Sequence, residues 1–125
     1  MTTRALTLTE AAEYRVLVCG GRHYSDSRHL GRVLGALATR PTLIIHGDAT
    51  GADELAQRWA RRQRIPDRPF PADWGAHGRA AGPIRNQQML DEGQPHLVVA
   101  FPGGAGTADM VRRAEAAGVT VLKVI

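Results

Sequence analysis

The ten residues Phe101–Met110 read FPGGAGTADM and follow the apolar run HLVVA. A glycine-rich turn leading from a strand into a helix presents backbone N–H groups with no side chain in the way, which suits a phosphate. Two other stretches have the same character, GGRHYSD at 20–26 and HGDATGAD at 46–53. None of the three is a common nucleotide fingerprint. Gly104 and Gly106 have G-x-G spacing, but Asp109 stands where a dinucleotide-binding turn has its third glycine. GDATGAD lacks the Lys-Ser/Thr of a P-loop. The chemistry these turns predict is anion binding by backbone, and a nicotinamide or Walker-type ATP site is disfavoured.

Other side chains could take part. Asp53 reads equally as a carboxylate at the start of a helix and as an acceptor for ribose hydroxyls, and Asp48 lies five residues before it. Arg85, in GPIRNQ, falls early in an expected helix, where a cation opposes the helix dipole. It is either a surface arginine or a phosphate clamp, and the clamp is the preferred reading. His46, Asp48 and Asp53 match no metal-ligand spacing, so neither a metal nor a cofactor is expected. Cys19 sits inside a strand pattern and reads as a small core residue rather than a nucleophile. His23 and His77 fall in loops. Trp59 has the helical phase of a core residue, whereas Trp74 is either a lid that stacks on a base or, preferably, a plug under a long loop.

These residues need elements to position them. RVLVCGG, TLIIHG, HLVVAF and VTVLKVI read as strands, the first three stopped by glycine or proline turns. Between them lie SDSRHLGRVLGALATR, ADELAQRWARRQRI, IRNQQMLDEG and TADMVRRAEAAG, each with helical features. In the second, Ala52, Leu55, Ala56, Trp59 and Ala60 share one helix face. Gly93 and Gly118 are expected to close their helices. RPFPADWGAHGRAAGP, 68–83, reads as a short edge strand around Phe70 followed by a long loop. Strand and helix alternate, which predicts an α/β fold of three layers: a mainly parallel, Rossmann-like sheet with helices on both faces. Residues 1–13 read as an arm with a capping-box pattern, TLTE, and 14–125 as a single domain. In such a sheet ligands bind outside the C-terminal strand ends, where all three glycine turns fall.

Composition narrows the partners. Fifteen of the sixteen basic residues are arginine, and the net charge is +4. Such a balance allows phosphorylated small ligands or nucleic acid. RWARRQR at 58–64 is the densest basic cluster, but on a helix its charges are mostly a solvated face and its one aromatic, Trp59, has the phase of a core residue. The chain lacks aromatics interleaved along a basic stripe, which disfavours single-stranded nucleic acid. No apolar run is long enough to cross a bilayer, the N-terminus lacks a secretory h-region, and the one cysteine allows no internal disulfide, so a cytoplasmic location is expected.

With PGGAGT, GGR, HGDATGAD and GPIRNQQM in this order, the chain resembles the SLOG superfamily, and within it the small YpsA-related, YspA-like branch. The resemblance runs from about Arg15 to Val124. It implies a Rossmann-like fold with strand order 3-2-1-4-5, a nucleotide or nucleotide-derived ligand at the glycine-lined edge, and self-association. It places Pro102, Gly103, Gly104, Gly106 and Thr107 in a phosphate loop. It assigns Gly20, Gly21 and Arg22 to the first-strand motif, and Gly47, Asp48, Gly51, Ala52 and Asp53 to the second. Arg85 and Asn86 belong to the helix motif. Relatives include the LONELY GUY phosphoribohydrolases, which split nucleoside monophosphates, ligand-sensing domains, and a DNA-processing protein that binds single strands. Where the phosphoribohydrolases carry two acidic residues, the second catalytic, this chain has Asp109 and Met110. A thioether cannot serve as a general acid, so the resemblance implies a site that binds, as a sensor or sequestering module, without the usual hydrolysis. The alternative is a hydrolase that uses Asp48 or Asp53 instead.

Overall fold

The computed structural model describes residues 13–125. The expected arm, but for Glu13, and its capping box lie outside the described residues. Five parallel strands form one sheet: β1 (Arg15–Cys19), β2 (Leu43–His46), β3 (Asp67–Pro69), β4 (Leu97–Ala100) and β5 (Thr120–Lys123). Their order is β3-β2-β1-β4-β5. In β1 and β4, Val, Leu and Ala side chains alternate between the two faces because the strand period is two. Val16, Val18, Ile44, Leu97 and Val99 point to one side. Leu17, Cys19, Ile45, Val98 and Ala100 point to the other. Both faces are covered, as the near-continuous apolar runs require.

The first face is covered by α1 (Ser27–Gly35) and α2 (Ala52–Arg62), through Leu30, Leu34, Ala56 and Trp59. Asp26 caps α1 by accepting from the His29 N–H at 3.0 Å. This helix stops at Gly35, short of the stretch to Arg40 that its residues predict. The second face is covered by α4 (Ala81–Gly93) and α5 (Ala105–Ala116), through Met89, Leu90, Met110 and Ala114. Truncating a fully buried residue such as Leu17 costs about 2–5 kcal/mol in a core packed this way.

The 68–83 stretch departs from expectation. It is not a long loop: α3 (Trp74–His77) and a 3-10 turn (Gly78–Ala80) run straight into α4. Asp73 caps α3 by accepting from the Ala76 N–H at 3.0 Å. Pro83 is the third residue of α4, where an N–H has no partner within the helix, so its absence costs little. Arg85 is therefore in the second turn of α4, and the unfavourable dipole argument for it does not hold. At the other end, Gln94 and not Gly93 is the left-handed residue after the helix, with φ 48°. Gly93 is instead small because a Cβ there would stand 3.1 Å from Ile45 Cδ1. Gly118, with φ 76°, closes α5 as expected.

Candidate functional site

The chain turns away in opposite directions from β1 and β4, which are neighbours in the centre of the sheet. Crevices form at such switch points, outside the C-terminal strand ends. Here a crevice of about 660 Å³ opens at that place, within the range of small-molecule sites. Its floor includes Cys19, Met89 and Met110, and its walls include Arg22, Trp74 and the start of α5.

The three glycine turns meet there but do different things. The β1 and β2 turns are packed against one another. The Gly21 N–H donates to the Pro102 carbonyl at 2.9 Å, and the Ala52 N–H donates to the Gly21 carbonyl at 3.1 Å. A Cβ on Gly20 would stand 2.6 Å from that of Ala52, and one on Gly103 would stand 2.6 Å from the Gly21 nitrogen. Gly51 has φ 79° and lies against the Gly21 and Arg22 carbonyls. These glycines allow backbone to meet backbone. Gly104 and Gly106 are different: a Cβ on either would meet nothing within 4 Å. They border open space at the start of α5. No side chain caps this helix, and its first turn holds no carboxylate. Its first N–H groups have no intrahelical partner and favour an anion. The start of α2 is closed by comparison, since Asp53 in its first turn folds back to accept from the Gly47 N–H at 3.0 Å and the Ala49 N–H at 3.3 Å.

A chain of polar groups ties these turns together. Arg85 donates from Nη1 to the Gly47 carbonyl at 2.5 Å and from Nε to Asn86 Oδ1 at 3.1 Å. Asn86, buried, donates from Nδ2 to Asp109 Oδ2 at 2.9 Å and to the Gly106 carbonyl at 3.3 Å. Asp109 also accepts from Arg113 Nε at 2.8 Å. Burial pushes the Asp53 carboxyl above its ordinary value, and the Ala49 N–H and the nearby Arg85 charge offset only part of this. Burial pushes the Arg85 guanidinium down, with Arg22 adding to the effect and Asp53 opposing it. Burial also raises Asp109, but the bonds from Asn86 and Arg113 outweigh it and leave that carboxyl below its ordinary value. Of the two readings of Arg85, the free surface residue is excluded, since its guanidinium is half-buried and bonded to the β2 turn.

His46 is buried and fully engaged. Its Nδ1 accepts from the Asp48 N–H at 3.0 Å, so its Nε2–H faces Asp67 Oδ2 at 2.9 Å. Among the described residues no group of three or more His, Cys, Asp or Glu is placed to hold a metal. Burial, with the nearby Asp53 charge, pushes the Cys19 thiol up to about 12, far from a reactive thiolate. Met110 is 1% exposed and packs with Ala114 in the core beneath the crevice. Trp74 corrects the preferred expectation. It is no buried plug but 47% exposed on the crevice wall, with the Arg22 guanidinium 5.1 Å from its ring centre.

Of the residues singled out in the sequence, Gly20, Gly21, Arg22, Asp53, Arg85 and Asn86 line the crevice, as do Gly104, Gly106 and Thr107. Gly47, Asp48, Gly51, Ala52, Pro102 and Gly103 are outside its lining: Gly51, Ala52, Pro102 and Gly103 meet the β1 turn, Gly47 is held by Asp53 and Arg85, and Asp48 is exposed. Arg79 and Arg112 also line the crevice, so four arginines there face two carboxylates, Asp53 and Asp109. Sequence reasoning missed both arginines. Arg112 could have been found from its place two turns into a helix that starts at the crevice. Arg79 carried no signal within its glycine-rich surroundings.

The YspA, cpYpsA-related SLOG family matches residues 14–77. The Gene 61 protein of Mycobacterium phage D29 is 35% identical, over 86% of this chain and 94% of the phage protein. Among solved structures, a molybdenum cofactor binding protein from the phototrophic bacterium Rippkaea orientalis superposes with a TM-score of 0.67. That match covers 89% of this chain and 76% of the other at 17% identity, so it concerns the fold. The chain belongs to the YspA- and YpsA-related SLOG family, and its five-stranded parallel sheet is the Rossmann-like fold the motifs predict.

Proposed function

From membership of the SLOG family and the geometry of the crevice, we propose that this protein binds a phosphorylated, nucleotide-derived small molecule at the C-terminal edge of its sheet. It acts as a sensing or sequestering module. The observation that carries this reading is the open space over Gly104 and Gly106 at the uncapped start of α5. Neither position has a neighbour that requires a glycine, and Gly106, inside the first turn, gives up helix propensity as well. An anion seated on the N–H groups of that turn accounts for both. The excess of arginine over carboxylate around the crevice supports the same charge. The Rippkaea orientalis protein, described as binding the molybdenum cofactor, supports a small-molecule role for this fold.

Binding without bond cleavage fits the side chains present. Met110 is a thioether in the core, and Asp109 is held by Asn86 and Arg113 rather than free for proton transfer. Asp53 is likewise engaged by two backbone N–H groups. Self-association belongs to the proposal as well; light scattering that reports a monomer at high micromolar concentration contradicts that part. No helix among the described residues is long and apolar enough to cross a membrane.

Thermal unfolding against AMP, GMP, ribose 5-phosphate, inorganic phosphate and adenosine tests the reading. A rise in Tm with the phosphorylated compounds and a much smaller one with adenosine is expected. A rise with adenosine equal to that with AMP overturns the phosphate assignment.

A further inference from the structure

Trp74 is the largest side chain on the crevice wall that the phosphate site leaves unused. Nearly half of its surface is exposed, unusual for an indole in a domain with aromatic content of only 5%. It is nevertheless firmly placed. It opens α3, which Asp73 caps. The tip of its ring lies against α4, with Cη2 at 3.4 Å from where a Cβ on Gly82 would stand. Its neighbour is Arg22, which lies over the ring at 5.1 Å. Arg22 takes part in no salt bridge among the described residues. Both side chains line the same crevice as Gly104 and Gly106.

An exposed indole with a planar cation over it is a surface that already accepts a flat, electron-poor partner. A nucleobase offers the same kind of face, and stacking on an aromatic side chain requires no particular base edge. We infer that Trp74 is the platform for a purine base, and that the ligand of this crevice is a purine nucleotide whose base stacks on the indole face Arg22 now covers. The inference rests on the phosphate reading above and adds to it the aromatic half of the ligand. Arg22, displaced from the ring, remains at the crevice as a cation for the same ligand.

The test compares AMP and GMP with ribose 5-phosphate, by calorimetry, on wild type, Trp74→Ala and Trp74→Phe. Stacking of one base makes AMP or GMP bind wild type about tenfold or more tightly than ribose 5-phosphate. That preference is expected to vanish in Trp74→Ala while affinity for ribose 5-phosphate stays as in wild type. Trp74→Phe, which keeps a ring in place, retains most of it. Trp74 is one of two tryptophans, and the other, Trp59, is buried, so purine nucleotides but not ribose 5-phosphate should also change the emission of wild type. If ribose 5-phosphate binds and neither purine nucleotide binds more tightly, the platform is refuted and the phosphate site stands. Equal losses of all three ligands in Trp74→Ala refute it too, because they mark a structural role. If neither the purine nucleotides nor ribose 5-phosphate bind wild type, both readings fall.

Discussion

Asn86 reaches from α4 to α5 and donates to the Asp109 carboxylate at 2.9 Å, while the same amide nitrogen meets the Gly106 carbonyl at 3.3 Å. The side chain is buried, so both bonds form away from competing water. It thereby fixes the open turn at the start of α5 against the helix that carries Arg85. Arg85 in turn grips the β2 turn through the Gly47 carbonyl. The crevice is thus framed by one connected set of polar contacts, and Asp109 serves that frame.

The frame has a pH signature. The Asp109 carboxyl lies below its ordinary value in the folded protein because Asn86 and the arginines outweigh its burial. A carboxyl lowered on folding contributes stability that is present above its unfolded value and lost as pH falls through the folded one. Wild type is therefore expected to be more stable than Asp109→Asn at pH 7, with the gap narrowing as pH falls below the ordinary aspartate value. Urea unfolding of both proteins from pH 7 down to pH 3 checks this. Asp67, whose value is also lowered, is present in both proteins and cancels from the difference. A gap that stays constant with pH contradicts the account of Asp109.

Two glycines of the same crevice should respond in opposite ways. Gly51→Ala puts a side chain at φ 79° with its Cβ 2.5 Å from the Arg22 carbonyl, so a loss of about 2 kcal/mol or more is expected. Gly106→Ala meets no neighbour and gains helix propensity, so stability should hold or rise by about 0.5–1 kcal/mol while the AMP-induced rise in Tm shrinks. Thermal unfolding with and without AMP reads both effects. Gly106→Ala that is as responsive to AMP as wild type contradicts the open turn as the anion seat.

Hydrolysis is not expected. Wild type should release no adenine from AMP above background, by chromatography. Met110→Glu should give at most weak activity, because a carboxylate at a position 1% exposed would be buried without a placed partner and without a positioned sugar. Robust adenine release by wild type would move the reading to an enzyme using Asp48 or Asp53.

Much of the fold was legible because the strands announce themselves: LIIH and LVVA are short apolar runs ended by glycine or proline turns. Helix α2 was legible from the phase of Ala56, Trp59 and Ala60. The start of α4 was not, because Gly82 and Pro83, which usually end helices, occupy a first turn where they do little harm. The site was legible as a set of glycines, but not their division of labour. Gly51 and Gly104 are the same residue in similar turns. What separates them is whether another backbone lies opposite, as it does for Gly51 alone. That depends on how the β1, β2 and β4 turns stack across strands distant in sequence. The exposure of Trp74 was hidden for a similar reason, since it depends on α3 lying across Gly82.

The central claim, that the turn at 103–107 seats the phosphate of the ligand, is tested most directly by AMP binding to wild type and Gly104→Asp side by side. Position 104 is the N-cap of α5, with φ −102° and open space around a Cβ, so the variant should fold with a Tm equal to or above that of wild type. Its carboxylate would occupy and repel the anion site. At an AMP concentration of 100 times Kd, wild type should gain about 2.7 kcal/mol of stability, and the variant close to none. A folded Gly104→Asp that binds AMP as tightly as wild type, or a wild type that AMP does not stabilise, contradicts the claim.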